Sequence, residues 1–155
     1  MAWGTDIMTA EASVHASCVA IGRSGVLILG PSGSGKSSLA LGLMAMGAEL
    51  VADDRVQLRC HGDDIWAYAP PHSAGRIEAR GMGLLRSTGP LAKTPLMLAV
   101  TLGQDQQARL PQPDWFDHGG IMIPNINRQF VDHNLIAVVS MILQGRLVWD
   151  SGEIL

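Results

Sequence analysis

Gly30-Pro31-Ser32-Gly33-Ser34-Gly35-Lys36-Ser37 follows directly on the apolar run Val26-Leu27-Ile28-Leu29 and runs into Ser38-Leu39-Ala40-Leu41. The eight residues fit the pattern G-x-x-x-x-G-K-[ST], a loop whose backbone N–H groups turn inward around phosphate oxygens. Glycine is needed there because the loop passes through backbone conformations closed to other residues. A helix beginning at its end aims its positive dipole end at the same point. All eight residues are candidate phosphate-binding positions: Lys36 reaches the β- and γ-phosphates, and the Ser37 hydroxyl is placed to ligate Mg²⁺.

A short apolar strand, a phosphate loop and a helix make an α/β unit. Ser37 to Met46 reads as a helix that is apolar on nearly every side and therefore buried, and Gly47 stops it. Upstream, Val14 to Ile21 reads as one strand and Gly22 to Gly25 as a turn. Downstream, Glu49 to Ala52 is a strand ending at Asp53-Asp54, and Val56–Cys60 with Ile65–Ala69 form a hairpin. Pro70-Pro71 breaks the chain, and Ser73 to Glu78 reads as a short helical piece. Pro95 to Leu102 is a further strand, Gln104 to Gly120 a loop-rich region and Ile121 to Ile123 a short strand. Asn134 to Leu143 is a closing amphipathic helix. Residues 1–12 read as a flexible leader and 13–155 as a single domain, the size that 155 residues allow.

Composition narrows the function. With 47% hydrophobic and 16% charged residues the chain suits a compact core. A formal net charge of −3 argues against a broad nucleic-acid surface. No apolar run approaches the ~20 residues of a membrane span, and Met1 to Ala12 lacks the basic start and apolar stretch of a signal peptide. The expected compartment is the cytoplasm, which supplies ATP and magnesium. Cys18 and Cys60 are too few for a disulfide framework or a zinc site and read as buried free thiols.

Asp53-Asp54 is the second constellation. A strand that delivers carboxylates to its C-terminal end places them beside the phosphate loop if the two strands are neighbours. One carboxylate would then hold Mg²⁺ or its water shell, and the other would take a proton from an attacking hydroxyl. His15, Glu78 and Arg109 have the right chemistry for the same site, although pattern alone gives none of the three a role.

Taken in order, these pieces resemble the catalytic domain of the HPr kinase/phosphorylase family, bacterial enzymes acting on a serine of the phosphocarrier HPr. The matching segments are Val14-His15, the Gly30–Ser37 loop with its strand, Ala52-Asp53-Asp54-Arg55-Val56, Ala69-Pro70-Pro71 and Ile77-Glu78-Ala79-Arg80-Gly81-Met82-Gly83-Leu84. The resemblance implies a P-loop kinase domain of the HPr kinase / PEP carboxykinase-like type, a mixed sheet with a buried P-loop helix and a C-terminal helix. It implies ATP (or pyrophosphate) and Mg²⁺ as cofactors, Lys36 on the phosphates, and Ser37 and Glu78 on the metal. Asp54 would be the proton acceptor, with Asp53 beside it and His15 in support, and Arg109 would be the catalytic arginine.

HPr would be the protein substrate, with no nucleic-acid or membrane partner, and a homo-oligomer, typically a hexamer, is implied. Two departures stand out. The chain looks like a short form without the family's N-terminal domain, and Ile123-Pro124-Asn125-Ile126-Asn127-Arg128 lacks the lysine of the segment needed for dephosphorylation. Serine-kinase activity is therefore the leading expectation and phosphorylase activity the weaker one. A non-catalytic ATP-sensing module is the rival. A small-molecule kinase is disfavoured because no lid or acceptor domain fits the length.

Overall fold

The computed structural model of the protein describes residues 11–72, 75–104 and 113–148. Eleven strands and two helices are assigned among them. In chain order they are β1 (Ala12–Val14), β2 (Ser17–Ile21), β3 (Ser24–Leu29), α1 (Lys36–Ala45), β4 (Glu49–Ala52), β5 (Val56–His61) and β6 (Asp64–Tyr68). There follow β7 (Arg76–Ala79), β8 (Gly83–Arg86), β9 (Lys93–Leu102), β10 (Trp115–His118), β11 (Ile121–Arg128) and α2 (His133–Leu143). The expected mixed α/β sheet is present. Among the described residues no helix is long and apolar enough to cross a membrane.

The ten-residue β9 organises the sheet. Its first residues, Lys93–Pro95, pair antiparallel with β6, which continues through β5 to β1. Its later residues lie between β3 and β11, parallel to both. Beyond β3 come β2 and then β4, each antiparallel to the strand before it. Alternate residues of the central strands serve two cores. Val26, Ile28, Leu98 and Val100 meet Leu39, Leu43 and Val139 of the helices, whereas Leu27 and Ala99 pack with Cys18, Leu58 and Ile65 on the opposite face. Burial on both faces explains why Val26 to Leu29 reads as an unbroken apolar run.

Helix α1 buries a stripe, Lys36, Leu39, Ala40 and Leu43, at helical spacing. The sequence suggested burial all round, but Met46 at its end is 48% exposed. The helix closes in a Schellman arrangement, Ala48 N–H donating to Leu43 O at 3.0 Å and Gly47 N–H to Met44 O at 3.0 Å. Helix α2 is capped by Asp132, whose carboxylate accepts from Leu135 N–H at 2.8 Å.

Four elements differ from their sequence reading. Val14–Ile21 is not one strand: β1 pairs with β5 and β2 with β3 and β4, so the chain changes sheet arms at His15-Ala16. The short helix expected over Ser73–Glu78 is instead strand β7 from Arg76 on, while Ser73 and Ala74 lie outside the described residues. Its exposed–buried alternation has the period of a strand, and Gly81, at φ 79°, lets the chain turn back into β8. Strand β10 arises within the loop-rich region. β11 extends the expected Ile121–Ile123 strand to Arg128, its proline at 124 preceding the Asn125–Arg128 stretch that pairs with β9. Of the expected leader, residues 1–10 lie outside the described residues, and Ala12 is already in β1.

Candidate active site

β3 and β4 run in the same direction on either side of antiparallel β2, so Leu29 and Ala52 end at one edge of the sheet. That edge is where open α/β sheets bind ligands. The two strands are not neighbours, as the sequence argument required; β2 lies between them and begins at this edge with Ser17.

The Gly30–Ser37 loop leaves β3 here. Gly30 has φ 147°, and a Cβ on it would lie 2.5 Å from Ser34 Oγ and 2.9 Å from Leu102 O. Only a residue without a side chain lets the loop pass so close to β9. α1 starts after Gly35, which offers no side-chain cap, and has no acidic residue in its first turn. Its first N–H groups therefore have no intrahelical partner and face the loop as anion donors. Ser34 Oγ is buried without a hydrogen-bond partner, a second polar group that the loop leaves unmet. Lys36 is buried, and its Nζ donates to Gly30 O at 2.8 Å and Pro31 O at 3.1 Å, which holds the ammonium against the loop. These features fit a phosphate chain.

The two adjacent carboxylates are separated by a backbone turn. Asp54 has φ 76°, the single positive value at a non-glycine among the described residues, in a region that aspartate tolerates better than most. Asp53 points inward: Oδ1 accepts from Ser17 Oγ at 2.6 Å and from Ser37 Oγ at 3.0 Å, with Oδ2 at 3.2 Å from Ser37 Oγ. Asp54 points outward, its Oδ1 lying 2.9 Å from His15 Nε2. The side chains of His15 and Asp54 are 44% and 75% exposed, so this carboxylate is open to a large partner. The break between β1 and β2 makes the pairing possible, since Ala16 N–H donates to Asp54 O at 3.3 Å.

Glu78 lies on β7 and lines two cavities with Lys36 and Ser37. One, of about 240 Å³, runs along the loop past Gly33, Gly35 and Arg80. The other, of about 380 Å³, contains Ser17, Asp53, Asp54 and Arg76. Ser37, Asp53 and Glu78 line this second cavity together and are oxygen donors of the kind a hard cation takes. Of the residues singled out in the sequence, His15, Lys36, Ser37, Asp53, Asp54 and Glu78 are brought together here. Arg109 lies outside the described residues. Ser17, Arg76 and Arg80 were missed. Ser17 is a lone hydroxyl opening an apolar strand, and the arginines flank Glu78 at two-residue spacing, a signal only once β7 is known to be a strand.

Away from the site, burial pushes the Cys18 thiol far above its ordinary range. Burial, followed by the charge of Asp117, raises that of Cys60, whose Sγ donates to His118 O at 3.2 Å. Asp114 accepts from the amides of Asn127 at 2.7 Å and Asn125 at 2.8 Å, and these bonds hold its carboxyl below the usual range. In the segment where a lysine is missing, Arg128 is paired with Asp132 at 3.0 Å.

A glycine loop leaving a central strand, an uncapped helix start, a buried lysine and a carboxylate on the loop serine thus meet at one edge of a mixed α/β sheet. The family described as HPr serine kinase C-terminal domain matches residues 6–89, more than half of the chain, and the chain belongs to that family. The HPr kinase/phosphorylase of Shouchella clausii is 45% identical over 74 residues, 47% of this chain and 24% of that protein. That of Bordetella petrii is 43% identical over 101 residues, 58% of this chain and 33% of that protein. The chain thus spans about a quarter to a third of the length of these curated relatives. Among solved structures, the Hpr(Ser) kinase/phosphatase from Coxiella burnetii matches with a TM-score of 0.73 at 24% identity, covering 86% of this chain and 89% of that one, a likeness of fold.

Proposed function

We propose that this chain is a catalytic unit that transfers the γ-phosphoryl group of ATP, with Mg²⁺, to a serine of the phosphocarrier HPr. The observation that carries the reading is the division of labour between neighbouring carboxylates. Asp53 is bound to the loop serine, and Asp54 is bound to His15 and exposed to an incoming protein. A pure nucleotide binder has no use for the second.

In-line phosphoryl transfer depends mostly on positioning and charge stabilisation. The loop N–H groups and Lys36 hold the β- and γ-phosphates. Ser37, with Asp53 and Glu78 nearby, would hold Mg²⁺, which when bound offsets charge on the β- and γ-oxygens. Asp54 takes the proton of the attacking serine hydroxyl as the new O–P bond forms and the bond from the γ-phosphorus to the β–γ bridging oxygen breaks, releasing ADP; the His15 contact fixes the carboxylate's orientation. In the reverse sense Asp54 would return that proton to the departing serine oxygen while inorganic phosphate takes the phosphoryl group as pyrophosphate. With Arg128 already paired to Asp132, the Ile123–Arg128 segment brings no unpaired cation of its own to that direction.

Incubation of the protein with labelled ATP, Mg²⁺ and HPr tests the reading. Label is expected on an HPr serine, and Asp54→Asn is expected to lower transfer by about 10²–10⁴-fold with nucleotide binding nearly intact. Transfer retained in Asp54→Asn removes Asp54 from its role. ATP binding by the wild-type protein with no label on HPr would leave a nucleotide sensor.

A further inference from the structure

The cavity of about 380 Å³ carries, besides the carboxylates, a cation that the mechanism above leaves unused. Arg76 opens β7, and alternation puts its side chain on the face shared with Glu78, while Ile77 and Ala79 are buried on the other. Its cross-strand partner in the β7–β8 ribbon is Arg86. Residues directly opposite on paired strands project from the same face, and like charges there destabilise the ribbon. Neither arginine is relieved: among the described residues no carboxylate lies within ion-pair distance of Arg76 or Arg86. Lys36, the other cation of this cavity, is committed to the loop carbonyls of Gly30 and Pro31. Of the two cations lining this cavity, Arg76 is therefore the one without a partner among the described residues, with Arg86 opposite it on β8.

We infer that Arg76 forms a subsite for a phosphate monoester carried by the acceptor serine. It would distinguish the phosphorylated from the unphosphorylated acceptor at this site. The inference rests on the reading of the site as a serine kinase. A planar guanidinium matches a phosphate through two parallel N–H···O bonds. Beside Asp53, Asp54 and Glu78, an unphosphorylated serine needs no cation. A dianionic phosphoseryl group does, because three carboxylates would otherwise repel it. Leu84 lines the same cavity from β8 and gives the methylene stem of such a residue an apolar wall.

Equilibrium binding without nucleotide separates the possibilities, using HPr phosphorylated on serine and unmodified HPr against wild-type protein, Arg76→Met and Arg76→Lys. Methionine keeps the length of the stem and removes the charge, and Arg76 is exposed, so the fold should survive. Wild-type protein is expected to bind the phosphorylated form more tightly. Arg76→Met should weaken that form about tenfold or more and change unmodified HPr less than about twofold, with Arg76→Lys in between, since lysine supplies the charge without the fork. Equal affinity of Arg76→Met and wild-type protein for phosphorylated HPr overturns the subsite while leaving the kinase reading to the Asp54 assay. Failure of the wild-type protein to bind either form overturns both.

Discussion

Removal of the Asp53 carboxylate tests whether this residue belongs to the metal shell or only ties strands together. Its oxygens accept from Ser17 Oγ at 2.6 Å and from Ser37 Oγ at 3.0 and 3.2 Å. Ser17 is fully buried, so its hydroxyl has no water to turn to once the acceptor is gone. A hydrogen bond to a charged group contributes about 1.5–3 kcal/mol, and a stranded buried donor costs about 1–3 kcal/mol. The Ser37 hydroxyl, only partly buried, is largely compensated by solvent. Asp53→Ala is therefore expected to lose roughly 2–4 kcal/mol, with each kcal/mol lowering Tm by about 2–4 °C in a chain of this size.

Asp53→Asn keeps an oxygen facing the serines and should cost only about 1 kcal/mol. Its affinity for ATP in Mg²⁺ should nonetheless fall about 10–100-fold, the range seen when a partner of a metal ligand is lost, with little change when EDTA is present. Ser17→Ala is the control, since it removes one strand-end bond and leaves Asp53 on Ser37. Urea unfolding and equilibrium binding of labelled ATP, each with Mg²⁺ and with EDTA, read the two quantities separately. If Asp53→Asn binds ATP–Mg²⁺ as wild type does, or if Ser17→Ala loses as much affinity as Asp53→Asn, Asp53 is a structural clamp and not part of the metal site.

Two further predictions concern the scaffold. A Cβ on Gly42 would lie 2.5 Å from Ile136 Cδ1 and 3.0 Å from its Cγ1, so α1 and α2 touch through this glycine. Gly42→Ala is expected to destabilise by about 1 kcal/mol despite alanine's better helix propensity. Ile136→Val should rescue part of that loss in a double-mutant cycle read by urea unfolding, and strict additivity would show that the helices do not meet there. The Asp114 carboxyl is held below the usual range chiefly by Asn127. Its contribution is complete above the unfolded pKa near 4 and disappears as pH falls through the lower folded value. Asn127→Ala should lower stability at neutral pH and flatten its loss as pH falls below about 4, measured by urea midpoints across the acid range; an unchanged slope would mean the amide does not hold the carboxylate.

The parts of the fold legible in the sequence are those whose cause is local. The Gly30–Ser37 loop, the strand before it and the helix after it follow from glycine placement and an apolar run. The β5–β6 hairpin and α2 follow from periodicity and a turn or a cap. What was not legible depends on pairings made far along the chain. β7 looked helical because its turn glycines are separated from the core that buries Ile77. β10 hid in polar, proline-containing sequence because it needs β11 to become a strand.

The same distinction holds inside the site. Asp53 and Asp54 are chemically equal in the sequence, and each could have been given either role. They become different when the chain turns through φ 76° at Asp54. That turn sends one carboxylate to hydroxyls 36 and 16 residues upstream, on Ser17 and Ser37, and the other to a histidine 39 residues upstream. A helix between the loop and the strand that ends in the acidic pair, and an antiparallel strand between β3 and β4, were both required for the turn to matter. Had β3 and β4 been adjacent, the condition under which the sequence placed the acidic pair beside the loop, Ser17 would have had no place between them and Asp53 no second donor. The intervening strand is thus what holds Asp53 on the loop serine and leaves its neighbour free to face an acceptor.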